Sequence, residues 1–140
     1  EPFTLGAACW SINKQGQLAF RVKSTNGFDL YESAVAFGMD RLGSWTHVAT
    51  ALDSKSKMIS HYVNGRSFSH EKMNEMVPLT FEKSLLGHSF DMPGHDGVAL
   101  RGSIDEFVIF ETAYEEDAIR RIFEVGRPYL PASHLGTALP

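Results

Sequence analysis

The sequence predicts an all-β sandwich with one short helix near its C-terminal end. Short runs in which apolar and polar residues alternate fill most of the chain, and turn residues separate them. Only the stretch between Glu115 and Gly126 has the spacing of an amphipathic helix. Many short strands with a single helix are typical of two antiparallel sheets packed face to face.

The first strands are predicted from simple alternation. In residues 17–23, Leu18, Phe20 and Val22 share one face and the residues between them are mostly polar. After the turn sequence STNG, residues 28–37 supply one or two further strands. Each of these runs is short, as expected for the strands of a sandwich.

The dipeptide Asn64-Gly65 is the clearest local signal in the chain. It lies between the alternating runs 58–63 and 66–71, and both turn residues tolerate a positive φ. This arrangement predicts a type I′ hairpin. The run 45–52, rich in β-branched and aromatic residues, predicts the strand before it.

The C-terminal third contains a predicted strand followed by the predicted helix. Residues 103–111 read SIDEFVIFE, with apolar residues on both faces, so we expect this strand inside the sandwich. Glu115 begins an acidic first turn that suits the helix dipole, and Gly126 ends the helix. Residues 129–140 are predicted to form an extended tail.

The composition excludes several classes of function. The chain has 140 residues, 43% of them hydrophobic and 21% charged, which is typical of one globular domain. Its net charge is −4 and it has no run of Lys or Arg, so neither nucleic acid nor an anionic membrane is the expected partner. No apolar stretch approaches the roughly 20 residues that span a bilayer. Cys9 is alone, so we expect no internal disulfide and no cysteine-based metal cluster.

The adjacent carboxylates Asp105 and Glu106 do not make a catalytic pair in a strand. Successive side chains point to opposite faces, whereas a retaining glycosidase needs two carboxyl groups about 5 Å apart on one side. We therefore expect Glu106 to be a buried carboxylate that pairs with an Arg or accepts backbone N–H groups. Asp105, near the turn at Gly102, is a candidate Ca²⁺ ligand because hard cations take carboxylate oxygens.

Three segments together resemble the laminin-G-like, concanavalin A-like jelly-roll family. They are GSWTHVATALDSKSKMISHYVNGRSFS, then SLLGH, then LRGSIDEFVIFETAYEEDAIRRIFEVGRP, in that order between residues 43 and 128. The similarity is closest to the bacterial, planctomycete-type domains that follow FecR anti-sigma segments. The resemblance implies a two-sheet antiparallel jelly-roll sandwich with one short C-terminal helix.

The resemblance also implies a core and a domain boundary. The helix would cap one end of the sandwich, and His47 would be a packed strand residue rather than a catalytic one. The laminin-G-like domain would span 1–128, ahead of the tail 129–140. The residues expected to fill the core are Trp45, Val48, Tyr62, Ile104, Phe107 and Ile109.

The N-terminal segment aligns with the second strand pair of the family rather than the first. WSINKQGQLAFRV matches that pair, so we expect the first strands of the jelly roll to be absent from this chain. Their place would be taken by another protein chain, by an N-terminal fragment, or by residues of the tail.

The function implied is a non-catalytic module that binds a glycan or glycoconjugate in an extracytoplasmic bacterial protein, periplasmic or at the cell surface. The related endoglucanases carry an E-x-D-x-x-E string, which this sequence lacks. A protein-interaction or spacer domain is the alternative, and a glycoside hydrolase is the weaker third reading. No cofactor is expected apart from the candidate Ca²⁺ ion. The predicted ligand contacts share one glycine-rich loop: His88, Phe90, Asp91, His95 and Asp96.

Overall fold

The computed structural model describes residues 3–81, 84–88 and 99–126. Within these ranges six strands form two three-stranded antiparallel sheets, followed by one α-helix. The elements are β1 (Ala8–Ile12), β2 (Gln17–Ser24), β3 (Gly27–Val35), β4 (Val48–Asp53), β5 (Met58–Val63), β6 (Arg66–Lys72) and α1 (Glu116–Val125). The prediction of an all-β sandwich with a short C-terminal helix is confirmed.

The first sheet has the order β1-β2-β3, so β2 lies at its centre. Leu18, Phe20 and Val22 of β2 are buried, as the alternation predicts. The turn between β1 and β2 is closed by Asn13, whose side-chain oxygen accepts the backbone N–H groups of residues 15 and 17 at 3.0 Å. Residues 28–37 contribute a single strand, β3, rather than two.

The second sheet has the order β4-β5-β6 and is built around two hairpins. Asn64 and Gly65 have φ values of 49° and 75°, which confirms the predicted turn with positive φ at both positions. β4 pairs with β5 in an unbroken register from Val48↔Val63 to Asp53↔Met58. Facing residues of an antiparallel pair share a face, so this register decides which side chains meet the first sheet.

The core lies between the two sheets. Phe20, Val22 and Tyr31 of the first sheet pack in one cluster with Ile59 of β5 and with the segment after β6. A smaller cluster joins Leu18 to Val63. Burial of these side chains removes apolar surface from water, at roughly 25 cal/mol per Å², and holds the sheets together.

A hydrogen-bonded chain of three side chains also crosses the sandwich. The indole Nε1–H of Trp10 in β1 donates to Oγ1 of Thr50 in β4 at 2.7 Å, and that hydroxyl lies 2.9 Å from Nδ1 of His61 in β5. His61 is 1% exposed, and its Nε2 has no partner among the described residues. Burial without a compensating charge lowers the pKa of His61 to about 4.

The prediction of a strand at residues 103–111 is wrong. Residues 103–110 form neither strand nor helix, and Ile104, Phe107 and Ile109 are 46%, 61% and 59% exposed instead of filling the core. Glu106 is exposed, with φ of 53°, so it is not the buried carboxylate that we expected. Alternation creates two apolar faces but supplies no partner, and no strand pairs with this segment among the described residues.

Trp45 is a second correction to the predicted core. Its side chain is 73% exposed, because β4 begins three residues later at Val48. Val48 packs against the smaller core cluster, which confirms that prediction. Tyr62 is buried, at 7% exposure, but on the opposite face of β5 and outside both core clusters. The short run 84–88 forms no strand but only an isolated bridge.

Helix α1 packs on the end of the β5–β6 hairpin, as the family resemblance implies. Ile119 is its buried residue, and Gly126 ends it with φ of 62° and a backbone N–H bonded to the carbonyl of Ile122. Glu116 fixes its first turn, because its Oε1 accepts the backbone N–H of Ser67 at 3.0 Å. In the described part of the chain no helix has the length and apolar character needed to cross a membrane. The predicted tail, 129–140, lies outside the described residues.

Candidate functional site

The predicted ligand loop falls largely outside the described residues, and only His88 among its five candidates can be placed. His88 is exposed and forms an isolated antiparallel bridge with Ala99. Phe90, Asp91, His95 and Asp96 lie in the range 89–98, which the structure does not describe. The predicted loop site therefore stays a prediction.

Asp105 lies in the exposed segment before α1. Calcium takes about 6–8 oxygen ligands, so one carboxylate does not make a site. Among the described residues no group of three or more His, Cys, Asp or Glu side chains could hold a metal ion.

A polar cleft of about 600 Å³ lies elsewhere, on the outer face of the second sheet. Its floor is the β4–β5 hairpin, and its other wall is the chain segment 111–115 that leads into α1. The lining residues with polar or aromatic side chains are Asp53, Ser54, Lys55, Ser56, Ser60, Tyr62, Glu111, Thr112, Tyr114 and Glu115.

The floor of the cleft follows from the strand register. Ala51 faces Ser60 across the β4–β5 ladder, and both lie on the face turned away from the core. Their small side chains leave depth that larger residues would fill. Tyr62 lies two residues along β5 on the same face, where the segment before α1 buries it.

The rim at one end is a tight turn closed by Asp53. Its Oδ1 accepts the backbone N–H of Lys55 at 2.9 Å, and its Oδ2 accepts the hydroxyl of Ser56 at 2.5 Å. These bonds stabilise the ionised carboxylate and hold the pKa of Asp53 below its usual value. The turn therefore presents Ser54 and Lys55 in a fixed position at the mouth of the cleft.

The opposite wall carries Tyr114, Glu111 and Glu115. Tyr114 packs edge-to-face against Phe110, with ring centroids 4.9 Å apart. The bond between Glu116 and the backbone of Ser67 fixes the start of α1, and with it the position of this wall. The cleft is thus shaped by two segments that lie about fifty residues apart in the sequence.

Burial and negative charge both act on the Tyr62 hydroxyl. Burial raises the pKa of Tyr62, and the carboxylates of Glu116 and Glu115 raise it further, against a hydrogen bond with Ser60 that lowers it. The phenol therefore stays protonated at neutral pH and can donate as well as accept a hydrogen bond. Hydroxyl, carboxylate and aromatic groups in one cleft suit a ligand with many hydroxyl groups.

The side chains of His47 and Cys9 are also chemically reactive types, but both are partly buried by packing. His47 packs against Phe123, with ring centroids 5.8 Å apart, and burial lowers its pKa, as expected for a packed residue. Cys9 lies half-buried in β1, where burial raises the pKa of its thiol and the charge of Arg21 opposes that rise. Neither residue lines the cleft.

Sequence reasoning missed the cleft. Tyr62 was expected in the core, Glu111 at the end of the predicted strand 103–111, and Glu115 in the first turn of the helix. The alternation of β5 does place Ser60 and Tyr62 on one face. No local signal shows, however, that residues 111–115 would pass over that face.

The comparisons with known proteins bear on the fold. The family model for the concanavalin A-like lectin/glucanase superfamily, Laminin_G_3, matches residues 4–120. The chain belongs to this superfamily. The laminin-G-like resemblance is therefore confirmed, whereas the association with FecR segments stays a prediction.

The lectin/glucanase domain also resembles a solved structure. Residues 221–444 of an S-layer domain-containing protein from Clostridium thermocellum, solved at 2.1 Å, match with a TM-score of 0.52 and 25% identity. The match covers 83% of this chain and 55% of that one, so the chain spans little more than half of that structure. No curated protein matches. The superfamily joins lectins with glucanases, so membership alone does not decide between binding and hydrolysis.

Proposed function

We propose that this lectin/glucanase-superfamily domain is a non-catalytic module that binds carbohydrate in the cleft between the β4–β5 hairpin and residues 111–115. The observation that carries the proposal is the lining of that cleft, which combines tyrosine rings with hydroxyl and carboxylate groups. Sugars present apolar C–H faces and rings of hydroxyl groups, and this set of side chains complements both. The similarity to an S-layer domain-containing protein supports an extracytoplasmic location.

The size of the cleft suits a short saccharide. Small-molecule sites occupy about 300–1,000 Å³, and the cleft measures about 600 Å³. The pairing of β4 with β5 and the anchored start of α1 hold its two walls, so little reorganisation opposes binding. Tyr114, half-buried and braced by Phe110, would contact a sugar ring.

The carboxylates that line the cleft favour binding without hydrolysis. Glu111 and Glu115, the carboxylates on the wall before α1, are both exposed. A general acid in a glycosidase needs apolar surroundings that keep its carboxyl group protonated near neutral pH, and an exposed side chain lacks them. Asp53, on the facing rim, is held ionised by the bonds that close its turn.

A protein-interaction or spacer role is the second candidate. The exposed apolar side chains of Ile104, Phe107, Val108 and Ile109 favour it, because scattered exposure is ordinary but four such residues within one short segment indicate a contact surface. A Ca²⁺ ion at Asp105 is a further proposal, to be measured by calcium titration of the wild type and of Asp105→Asn. The carbohydrate proposal does not depend on that ion.

The direct test is a glycan array followed by calorimetric titration of the best saccharide. We expect Tyr114→Ala and Glu111→Gln each to weaken binding by about 5- to 30-fold, because each removes a contact of about 1–2 kcal/mol. Trp45→Ala serves as the control, since Trp45 is an exposed aromatic residue that does not line the cleft. Unfolding curves of all variants show whether the fold is kept.

Three outcomes separate the candidates. Loss of binding in Phe90→Ala and Asp96→Ala, with the cleft variants unchanged, would move the site to the predicted loop and keep the function. The absence of saccharide binding at millimolar concentration would leave the protein-interaction candidate. Release of reducing sugar from a β-glucan, abolished by Glu111→Gln or Glu106→Gln, would contradict the non-catalytic proposal.

A further inference from the structure

The charged side chains of the cleft do not balance one another. Among the described residues that line it, Asp53, Glu111 and Glu115 carry carboxylates, and Lys55 carries an ammonium group. Asp53 and Lys55 lie on the rim formed by the β4–β5 turn, whereas both glutamates lie on the facing wall. A ligand held in the cleft would therefore have carboxylates on both sides of it.

No cation of the described part of the chain pairs with the two glutamates. The nearby Arg120 of α1 pairs instead with Asp117 and Glu124 of its own helix. The N-terminus of α1 adds partial positive charge beside Glu115, but Glu116 in the same turn adds a full negative charge. The wall before α1 therefore keeps negative charge that a ligand can match.

The floor of the cleft lies within the field of these carboxylates. Burial raises the pKa of Tyr62 most, and the charges of Glu116 and Glu115 raise it further. Since Tyr62 is only 7% exposed, the field reaches below the rim. Charges interact more strongly there than in bulk water, because protein atoms replace part of the solvent.

The carboxylates are not gathered for a metal ion. Ca²⁺ takes about 6–8 oxygen ligands at short range, and no group of three or more potential ligands comes together among the described residues. Asp53 accepts one hydrogen bond at each oxygen, from the Lys55 N–H and the Ser56 hydroxyl, and each oxygen can accept another. Separate carboxylates suit an extended ligand that carries separate cationic groups.

We propose that the cleft selects saccharides with protonated amino groups, such as runs of glucosamine units, over neutral and anionic saccharides. This selectivity rests on the proposed carbohydrate-binding function and defines its ligand class. An amino sugar keeps the ring and most of the hydroxyl groups that suit Tyr114 and the serine hydroxyls. Its ammonium groups would donate charge-assisted hydrogen bonds to Asp53, Glu111 and Glu115. A uronic acid would instead bring like charge to the same carboxylates.

The preference should be moderate because the carboxylates are in contact with water. One exposed ion pair changes affinity by about 1.5- to 5-fold, and a short oligomer would form about two such pairs. We therefore expect a trimer of β-1,4-linked glucosamine to bind about tenfold more tightly than the glucose trimer. The two trimers are matched, since the glucose trimer has a hydroxyl group in place of each ammonium.

The experiment is calorimetric titration of the full chain at about pH 6.5 in low salt. At that pH a sugar amine is protonated, as an α-amino group of similar basicity is. The probes are the glucosamine trimer, the glucose trimer, the matching glucuronic acid trimer, and spermidine, a polyamine without sugar rings. Affinity should fall from glucosamine to glucose to glucuronic acid. Spermidine should bind about fivefold more weakly than the glucosamine trimer, because it lacks the ring and hydroxyl contacts.

Added salt separates the contribution of charge from that of shape. The Debye length falls from about 30 Å at 0.01 M to about 3 Å at 1 M salt. The preference for the glucosamine trimer over the glucose trimer should therefore shrink to about twofold in 1 M NaCl. Binding of the glucose trimer should change much less.

Three substitutions test which charges are responsible. Glu115→Gln should weaken the glucosamine trimer about threefold more than the glucose trimer. Lys55→Gln should strengthen the glucosamine trimer about twofold, a gain that misfolding cannot produce, and Asp53 keeps its bond to the backbone N–H of residue 55. Glu71→Gln is the control, since Glu71 is an exposed carboxylate of β6 outside the cleft lining, and it should bind like the wild type.

Three results would overturn the selectivity. Equal affinities of the glucosamine and glucose trimers, or tighter binding of the glucuronic acid trimer, would overturn it and keep the proposed function. Spermidine binding as tight as that of the glucosamine trimer would assign the cleft to cations in general. Absence of binding by every trimer at millimolar concentration would also overturn it, and the glycan array would then decide separately whether the domain binds carbohydrate.

Discussion

The β5–β6 hairpin and the segment 103–110 have similar sequence patterns and different structures. Both alternate, and both are rich in Ile, Val and aromatic residues. In the hairpin, β5 pairs with β4 on one side and with β6 on the other, and its Ile59 is fully buried. The segment 103–110 is unpaired in the described structure, and Ile109 is 59% exposed. Alternation alone therefore does not form a strand, because the segment must also pair with the edge of a neighbouring strand.

The difference lies in how each region finds a partner. Asn64-Gly65 brings two strands together through a turn of two residues, so the loss of chain entropy on pairing is small. Residues 103–110 have no such turn, and their pairing would have to be long-range. Long-range pairing depends on which sheet edges are open, and a sequence pattern does not contain that information.

The largest expected effect is the difference in stability between two isoleucine-to-alanine substitutions, one in each region. Ile59→Ala should lower the free energy of unfolding by about 3–4 kcal/mol, because it removes a buried side chain and leaves a cavity. Ile109→Ala should stay within about 0.5 kcal/mol of the wild type, since the side chain is already in water. Urea unfolding monitored by tryptophan fluorescence measures both. A cost above about 2 kcal/mol for Ile109→Ala would show that the segment packs as a strand in solution.

The hairpin should also make the stability of the fold depend on pH, through His61. The pKa of His61 falls from 6.5 to about 4 on folding, so below pH 6.5 the unfolded state takes up a proton that the folded state refuses. The contribution of His61 to the free energy of unfolding is fully present above pH 6.5 and is lost as the pH falls toward 4. At 1.4 kcal/mol for each pH unit between the two pKa values, the total is about 3.5 kcal/mol.

Unfolding curves at pH 7 and pH 4.5 measure this effect. His61→Phe should flatten the dependence, apart from a contribution of the same sign from His47, whose pKa burial also lowers. His70→Gln, which removes an exposed histidine from the same hairpin, should keep the drop. An unchanged pH dependence in His61→Phe would show that other groups are responsible.

The smallest expected effect is the difference between two glycine-to-alanine substitutions. It distinguishes backbone strain in a turn from crowding against α1. Gly65 and Gly43 have nearly equal φ values, 75° and 78°, so alanine is strained at both. A Cβ at Gly65 would lie 3.0 Å from Cα of Arg120 and from Cβ of Phe123, whereas one at Gly43 would meet nothing within 4 Å. We expect Gly65→Ala to cost about 2–3 kcal/mol and Gly43→Ala about 1 kcal/mol in the free energy of unfolding. Equal costs would mean that α1 does not constrain the hairpin.

The fold class, the central strand, the hairpin and the helix could be predicted because each rests on local chemistry. Leu18, Phe20 and Val22 are buried by simple alternation, Asn64-Gly65 turns where both residues accept positive φ, and Gly126 ends the helix. These features need only neighbours within a few residues. The same locality explains why the predicted start of β4 was three residues early, since strand ends depend on pairing.

The cleft was decided by contacts between distant parts of the chain. Residues 111–115 reach the outer face of β4 and β5 because Glu116 bonds to the backbone of Ser67, forty-nine residues earlier. The side chains of Ser60 and Tyr62 become cleft residues only when that segment passes over them. Which surfaces meet across such distances depends on the balance of many packing contacts, and so the tertiary structure determines where this domain can bind.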